Sequence, residues 1–353
     1  MKIFLEQYDS RYNDRLKFLE TIKPELENRS FSFVESEQEC DLVLSQQISY
    51  SPNLELVRTT KKDVIILEVN DTATIFNDEL RLAIKQENVK GFFKVTNFKD
   101  LSCHNAKTSG DIRYHANFIN EVIKISEYQF PNILFTDDEL KKIQVALPAF
   151  LNFRMDQVRK VELDIDNDWK NRGIDLSFAG TTDYTKNKNY IQLNHSDPRL
   201  ELPKLISAQR KMALNELTKI RDKGATVLMS NVKPMSQPEY WSSLLSTKAC
   251  LSPWGFGAYN WRDYESIYLG ALVIKPNTDF LETYCNIFQS GKYYVPCDVD
   301  FANLDEIYEN ISNNEYNHNE IRRNALQLLE ANNNKSKIAD RFISQITQAL
   351  SQN

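Results

Sequence analysis

Two short runs, Asp41–Ser45 (DLVLS) and Asp63–Asn70 (DVIILEVN), constrain this chain more than any other feature. Each is apolar on consecutive positions, rich in β-branched residues and bounded by polar ones. A strand with one wet face alternates apolar and polar residues, so a strand apolar on both faces must be covered on both. Helices supply that cover when parallel strands are joined by crossovers long enough to carry one. The runs therefore predict an α/β chain built on a parallel sheet.

The neighbouring segments fit that frame. Lys2–Leu5 opens the chain as a strand, and Asp14–Leu26 follows with helical spacing. Thr72–Glu87 carries Phe76, Leu80, Leu82, Ala83 and Ile84 as a helix, and Val89–Val95 is the next strand. Asp137–Glu162 places Leu140, Ile143, Leu147, Phe150 and Leu151 at core spacing, which predicts one long helix bent at Pro148. The polar stretch Asp164–Arg172 (DIDNDWKNR) marks a junction. A second series then opens, with strands at Asp175–Thr182, Ala225–Met229, Ala249–Ser252, Ala271–Lys275 and Tyr293–Val295. Its helices are Leu205–Lys223, Pro238–Ser246 and Trp261–Leu269, and Leu304–Ser312, Glu320–Ala331 and Lys337–Ser351 close the chain. The length, 353 residues, suits two domains. The expected division is 1–165, 173–335 and a closing helix over 336–353.

Several functions are disfavoured. A net charge of −6 argues against a nucleic-acid partner, which needs a basic stripe to displace counterions. No apolar run approaches the ~18 residues of a spanning helix, and Met1–Leu5 lacks the apolar core of a signal peptide. The five cysteines are widely spaced with no CxxC, as expected of reduced thiols. The expectation is a cytoplasmic protein. Walker, GxGxxG, GxSxG and HExxH patterns are missing. The DxD spacings at Asp164–Asp168 and Asp298–Asp300 are not placed beside the first sheet, where a sugar-nucleotide's metal ion would be held.

Chemistry concentrates in Leu251–Pro276 (LSPWGFGAYNWRDYESIYLGALVIKP), which holds Gly255, Gly257 and Gly270 of only nine glycines in the chain. It reads as strand, small-residue loop, helix start and strand. A helix N-terminus after such a loop offers unpaired N–H groups and the positive end of the dipole to phosphate. Arg262 can meet phosphate charge, and Glu265, one turn on, can accept sugar hydroxyl protons; a surface salt bridge between the two is the bland alternative. Trp254 and Tyr259 suit stacking on a base or sugar, or plain core. Ser252 and Asn260 flank the loop. At the preceding strand end, Thr181 offers a hydroxyl or a simple turn residue. On the next helix, Arg210 or Lys211 offers a cation for a diphosphate or a solvated surface charge.

Ser252, Pro253, Gly255, Arg262, Glu265, Gly270, Ala271 and Pro276, in that order, resemble the donor domain of exostosin-like and related bacterial GT-B glycosyltransferases. That domain has a Ser-Pro-x-Gly loop, an Arg-x-x-Glu helix start and a small-residue turn into an apolar strand. DLSFAGT (Asp175–Thr181), with its basic helix, is similar to the same domain's opening strand. The likeness covers roughly residues 173–310. It implies two Rossmann-like domains facing across a cleft (the GT-B arrangement), with a C-terminal helical tail crossing back. It further implies a nucleotide-sugar donor on the second domain and a glycan or lipid-linked acceptor on the first, in bacterial surface polysaccharide or lipopolysaccharide assembly. By the resemblance, Glu265 binds donor hydroxyls, Arg262 and Arg210 neutralise the leaving diphosphate, and neither a metal ion nor another cofactor is required. Peripheral contact with the inner membrane face is compatible with a lipid-linked acceptor.

Inverting transfer needs a base for the acceptor hydroxyl. Asp71, at the end of DVIILEVN, is the first candidate, with Asp111 and His115 as the others. Inversion, retention and oligomeric state are left open. The other readings are a non-catalytic nucleotide-sugar or glycan-binding protein on the same fold, and an α/β epimerase or phosphatase.

Overall fold

The computed structural model describes residues 1–6, 17–47, 52–68, 72–75, 77–105, 132–148, 153–184, 201–229, 235–255, 257–313 and 317–351. The first part runs β1 (Lys2–Glu6), α1 (Lys17–Glu27), β2 (Ser32–Val34), β3 (Leu42–Gln47), α2 (Glu55–Thr59), β4 (Asp63–Glu68), α3 (Asp78–Ile84) and β5 (Val89–Lys94). It continues with β6 (Thr96–Phe98), α4 (Asp137–Lys141), β7 (Ile143–Val145) and α5 (Phe153–Val158). Next come β8 (Ile174–Phe178), α6 (Glu201–Asp222), β9 (Val227–Met229), α7 (Gln237–Leu245), β10 (Thr247–Leu251), α8 (Trp261–Tyr268) and β11 (Leu272–Pro276). The chain ends with β12 (Leu281–Thr283), β13 (Val295–Cys297), α9 (Leu304–Ser312), α10 (His318–Asn332) and α11 (Lys335–Ser351).

Two parallel sheets result, ordered β2-β1-β3-β4-β5-β7 and β9-β8-β10-β11-β13. The doubly apolar runs behave as their pattern demands. Leu42, Leu44, Ile65 and Leu67 point into the cluster with α1 and α11, whereas Val43, Val64 and Ile66 point into the one with α2 and α3. In the second sheet, Leu176, Ala249 and Leu272 pack under α6 and α9, while Cys250 and Val273 pack with α8. The α/β, two-sheet fold with closing helices is therefore present. In each sheet the chain lays its second strand outside the first and then crosses to the other side. Such an order opens a crevice at the carboxyl ends of the first and third strands, β1/β3 here and β8/β10.

One core cluster contains both Ile65 of the first sheet and Val273 of the second. A short antiparallel ribbon, β6 with β12, also joins the two parts. Helix α11 lies on the first sheet, where Phe342 meets Phe18 and Phe93 edge-on at 5.8 and 6.1 Å.

The long helix expected over Asp137–Glu162 is absent. A five-residue α4 gives way to β7, which pairs with β5 through Phe92↔Ile143 and Lys94↔Val145. Ile143 and Val145 are buried and Gln144 is not. This two-residue period lay inside an apparent helical one, and a vacant sheet edge decided between them. The acidic junction is also structural. Asp168 accepts from Arg172 (2.6 Å) and Arg322 (2.6 Å), and Arg323 takes Asp166. Arg172 and Arg322 in turn donate to the carbonyls of Leu269 and Gly270, after α8. Gly270 has φ +73°, and a Cβ there would stand 2.6 Å from Arg172 Nη2. Gly270→Ala is therefore expected to cost about 2–4 kcal/mol of stability in urea unfolding, from strain and displacement of the arginine together.

Candidate functional site

The second crevice is bounded by Phe178–Gly180 after β8 and Leu251–Trp254 after β10. Two arginines converge on it. Arg262, in the first turn of α8, sits over the Phe178 ring at 5.0 Å and donates Nη2 to Ala179 O at 2.7 Å. Its Nε and Nη1 are buried and make no well-formed hydrogen bond among the described residues, with the Tyr240 hydroxyl and the Cys250 thiol as neighbours. Arg210, buried on α6, lies over the same ring at 5.9 Å. It donates to Trp254 O (3.0 and 2.8 Å), Thr181 O (2.6 Å) and the Tyr184 hydroxyl (3.0 Å). Arg210 thus stitches the two strand-end loops together. Among the described residues, neither guanidinium has a carboxylate within ion-pair distance. Burial, and then the charge of Arg262, lower Arg210 to about 10, so both remain cationic at neutral pH.

Buried like charges repel, and an orphaned buried N–H costs about 1–3 kcal/mol, more on a cation. An arrangement with two of each is stabilised by an anion with several acceptor oxygens. Gly180 makes the approach possible, since a Cβ there would lie 2.4 Å from Arg262 Nη2. Gly180→Ala should displace the arginine and weaken anion binding about tenfold or more, with the melting temperature nearly unchanged; titration calorimetry checks this.

The helix end itself is closed. Asn260 caps α8 by accepting from Arg262 N (3.0 Å), and Asp263 Oδ2 accepts from Asn260 N (3.0 Å). Asp263 also takes the Ser252 hydroxyl (2.6 Å) and the fully buried Lys275 ammonium (2.7 Å), which lies over the Phe288 ring. Ser252 and Asn260, both expected to bind the donor, thus bond to Asp263 and to each other in this structure. The Asn260/Asp263 spacing is a capping box and was legible as one. Lys275, the buried partner that makes the carboxylate tolerable, was missed because strand pattern does not disclose what lies across it.

Other candidates divide similarly. Trp254 and Tyr259 are 5% and 1% exposed and pack in the main core cluster. Gly255 has ordinary space for a Cβ, and its N–H donates to Gly257 O at 3.2 Å; the glycine whose missing side chain matters is Gly180. Thr181 is exposed at the rim and Lys211 faces solvent. Glu265 is buried, makes no ion pair with Arg262, and accepts from the Trp241 indole N–H at 3.1 Å. Asp71, Asp111 and His115 lie outside the described residues.

No protein-family model matches the chain, and no curated protein is similar to it in sequence. Similar solved structures include HepE of Anabaena in complex with UDP, at 9% identity and a TM-score of 0.48, covering 98% of this chain and 99% of that one. A glycosyltransferase from Rickettsia africae is similar at 8% identity and a TM-score of 0.45, covering 100% and 99%. The pneumococcal O-GlcNAc transferase GtfA, in complex with UDP and GlcNAc, is similar at 11% identity and a TM-score of 0.41, covering 88% and 57%.

Proposed function

We propose that the chain is a glycosyltransferase that moves a sugar from a nucleotide-sugar donor to a glycan or lipid-linked acceptor, with arginines in place of a metal ion. The observation that carries this reading is the pair at the β8/β10 crevice formed by buried Arg210 and half-buried Arg262, neither of which has a carboxylate within ion-pair distance among the described residues. A diphosphate matches that pair in charge and in number of acceptors. When the bond between sugar and diphosphate breaks, negative charge grows on the leaving group. Cations already fixed there stabilise that state more than the ground state. Glu265, oriented by Trp241 one turn from Arg262, binds donor hydroxyls in this reading, with Thr181 at the rim. The acceptor belongs to a surface polysaccharide or lipopolysaccharide under assembly, with the enzyme in the cytoplasm or against the membrane's inner face. Among the described residues no helix is long and apolar enough to cross a membrane.

A thermal-shift screen against UDP-, GDP-, CMP- and dTDP-sugars tests the reading. A ligand at 100 times its Kd adds about 2.7 kcal/mol to apparent stability, so one nucleotide class should raise the melting temperature by several degrees. No shift with any of them rejects the proposal. A shift without release of nucleotide on long incubation with acceptors leaves the non-catalytic binding protein instead.

A further inference from the structure

The carboxyl end of the first sheet is built from polar side chains that the donor chemistry leaves unused. Strand β3 is apolar through Leu44 and then runs Ser45, Gln46, Gln47, all at most 1% exposed. An interior strand gains nothing in packing from such residues, and each must be hydrogen-bonded to be tolerated. The bonds of Ser45 and Gln47 lead to one group. Ser45 is the register partner of Glu6 in the last pair of the β1–β3 ladder, at the first sheet's crevice, and its hydroxyl donates to Glu6 Oε2. Gln47 Nε2 donates to Ser45 Oγ (2.8 Å) and to Asn53 O (2.6 Å), and Gln47 Oε1 accepts from Asn53 N (2.9 Å). This relay holds the Glu6 carboxylate in one orientation while leaving the residue partly exposed. The next acid along the sheet end, Glu68, is fully buried and neutralised by Lys94. Glu6 has no such cation among the described residues, and burial pushes its carboxyl above the ordinary range, partly offset by the Ser45 hydroxyl.

The two crevices therefore carry opposite chemistry: a cation pair at β8/β10 and an oriented carboxylate at β1/β3. We propose that Glu6 is the catalytic base that takes the proton of the acceptor hydroxyl, an inference that rests on the transferase reading above. In the step, the acceptor O–H proton passes to a Glu6 oxygen and the acceptor oxygen bonds to the anomeric carbon. The bond from that carbon to the diphosphate breaks on the opposite face, and its electron pair leaves on the nucleoside diphosphate. Glu6 then returns its proton to water. Attack from the face opposite the leaving group inverts the anomeric configuration.

The test compares wild type, Glu6→Gln, Glu6→Asp and Ser45→Ala, using the sugar nucleotide selected by the thermal-shift screen. Nucleotide release is followed with water and with simple methyl glycosides as acceptors, and the product anomer is read by proton NMR before it equilibrates. Glu6→Gln is expected to bind the donor with unchanged Kd and to lose release by about 100-fold or more, the usual worth of a general base. Glu6→Asp, which keeps the charge one methylene short, should fall between, and Ser45→Ala should lower kcat while leaving KM for the donor unchanged. Release by Glu6→Gln within threefold of wild type overturns the assignment. So does a wild-type product of retained configuration, a result independent of how any variant folds. A wild type that binds no sugar nucleotide, or that binds one and releases nothing, fails the transferase reading itself, which keeps the two failures apart.

Discussion

Arg262→Met is expected to weaken nucleotide-sugar binding by about 30- to 1000-fold while leaving the folded state as stable as wild type or more so. The affinity range corresponds to the roughly 2–4 kcal/mol lost when one member of a buried charge-assisted contact is removed. The stability expectation has a separate origin. Methionine keeps an unbranched stem over the Phe178 ring, where Arg262 lies at 5.0 Å. It removes a half-buried cation whose buried Nε and Nη1 make no well-formed hydrogen bond among the described residues and whose neighbour Arg210 has the same charge. Against this stands one lost bond, from Nη2 to Ala179 O, worth about 1 kcal/mol. Calorimetric titration and urea unfolding on the same preparation separate the two quantities. Unchanged affinity would show that the arginine is merely a structural staple, as most of Arg210's hydrogen bonds are.

The largest stability effect should come from Lys275→Met. Lys275 and Asp263 are 0% and 1% exposed, and burial lowers the lysine below its ordinary range, a shift that the adjacent carboxylate opposes. Removing the ammonium leaves Asp263 buried and unpaired, a loss of about 3–5 kcal/mol. The effect spreads, because that same carboxylate caps α8 and holds the Ser252 hydroxyl and the Asn260 N–H. Donor affinity should fall as well, since α8 carries Arg262. In the double variant Lys275→Met with Asp263→Asn, most of the stability should return. A neutral amide can hold the Ser252 hydroxyl and cap the helix without a counter-charge. A non-recovering double variant would mean that the ammonium matters for its contact with Phe288 at 3.9 Å rather than for its charge.

Local pattern was enough for the elements whose periodicity has a single reading. Val64–Leu67, apolar on four successive positions, had to be a strand covered on both faces. Leu304–Ser312 was placed to the residue because its apolar stripe is flanked by polar loops. The segment around Ile143 failed because the same residues satisfy a helical and a strand period, and Phe92 and Lys94 on β5 broke the tie. At the site, the residue types that can hold a sugar nucleotide were visible: Arg210, Arg262, Glu265 and the small residues around them. Their bonding partners were not: Asp263 takes up the capping groups, Trp254 and Tyr259 pack in the core, and Arg262 Nε and Nη1 make no well-formed hydrogen bond among the described residues.

By itself, then, the amino-acid order determined that this chain forms two series of buried parallel strands with helical cover, because burial on both faces is written into consecutive residues. Where the crevices of the two sheets open is set only in three dimensions. Strand order, which sets where the crevices open, depends on the side to which each crossover turns, and no local spacing encodes that. Whether a polar side chain is matched or left wanting depends on residues far off in sequence: Lys275 for Asp263, Ala179 for Arg262, Ser45 for Glu6. Desolvation makes those differences large, and desolvation is a property of the packed molecule.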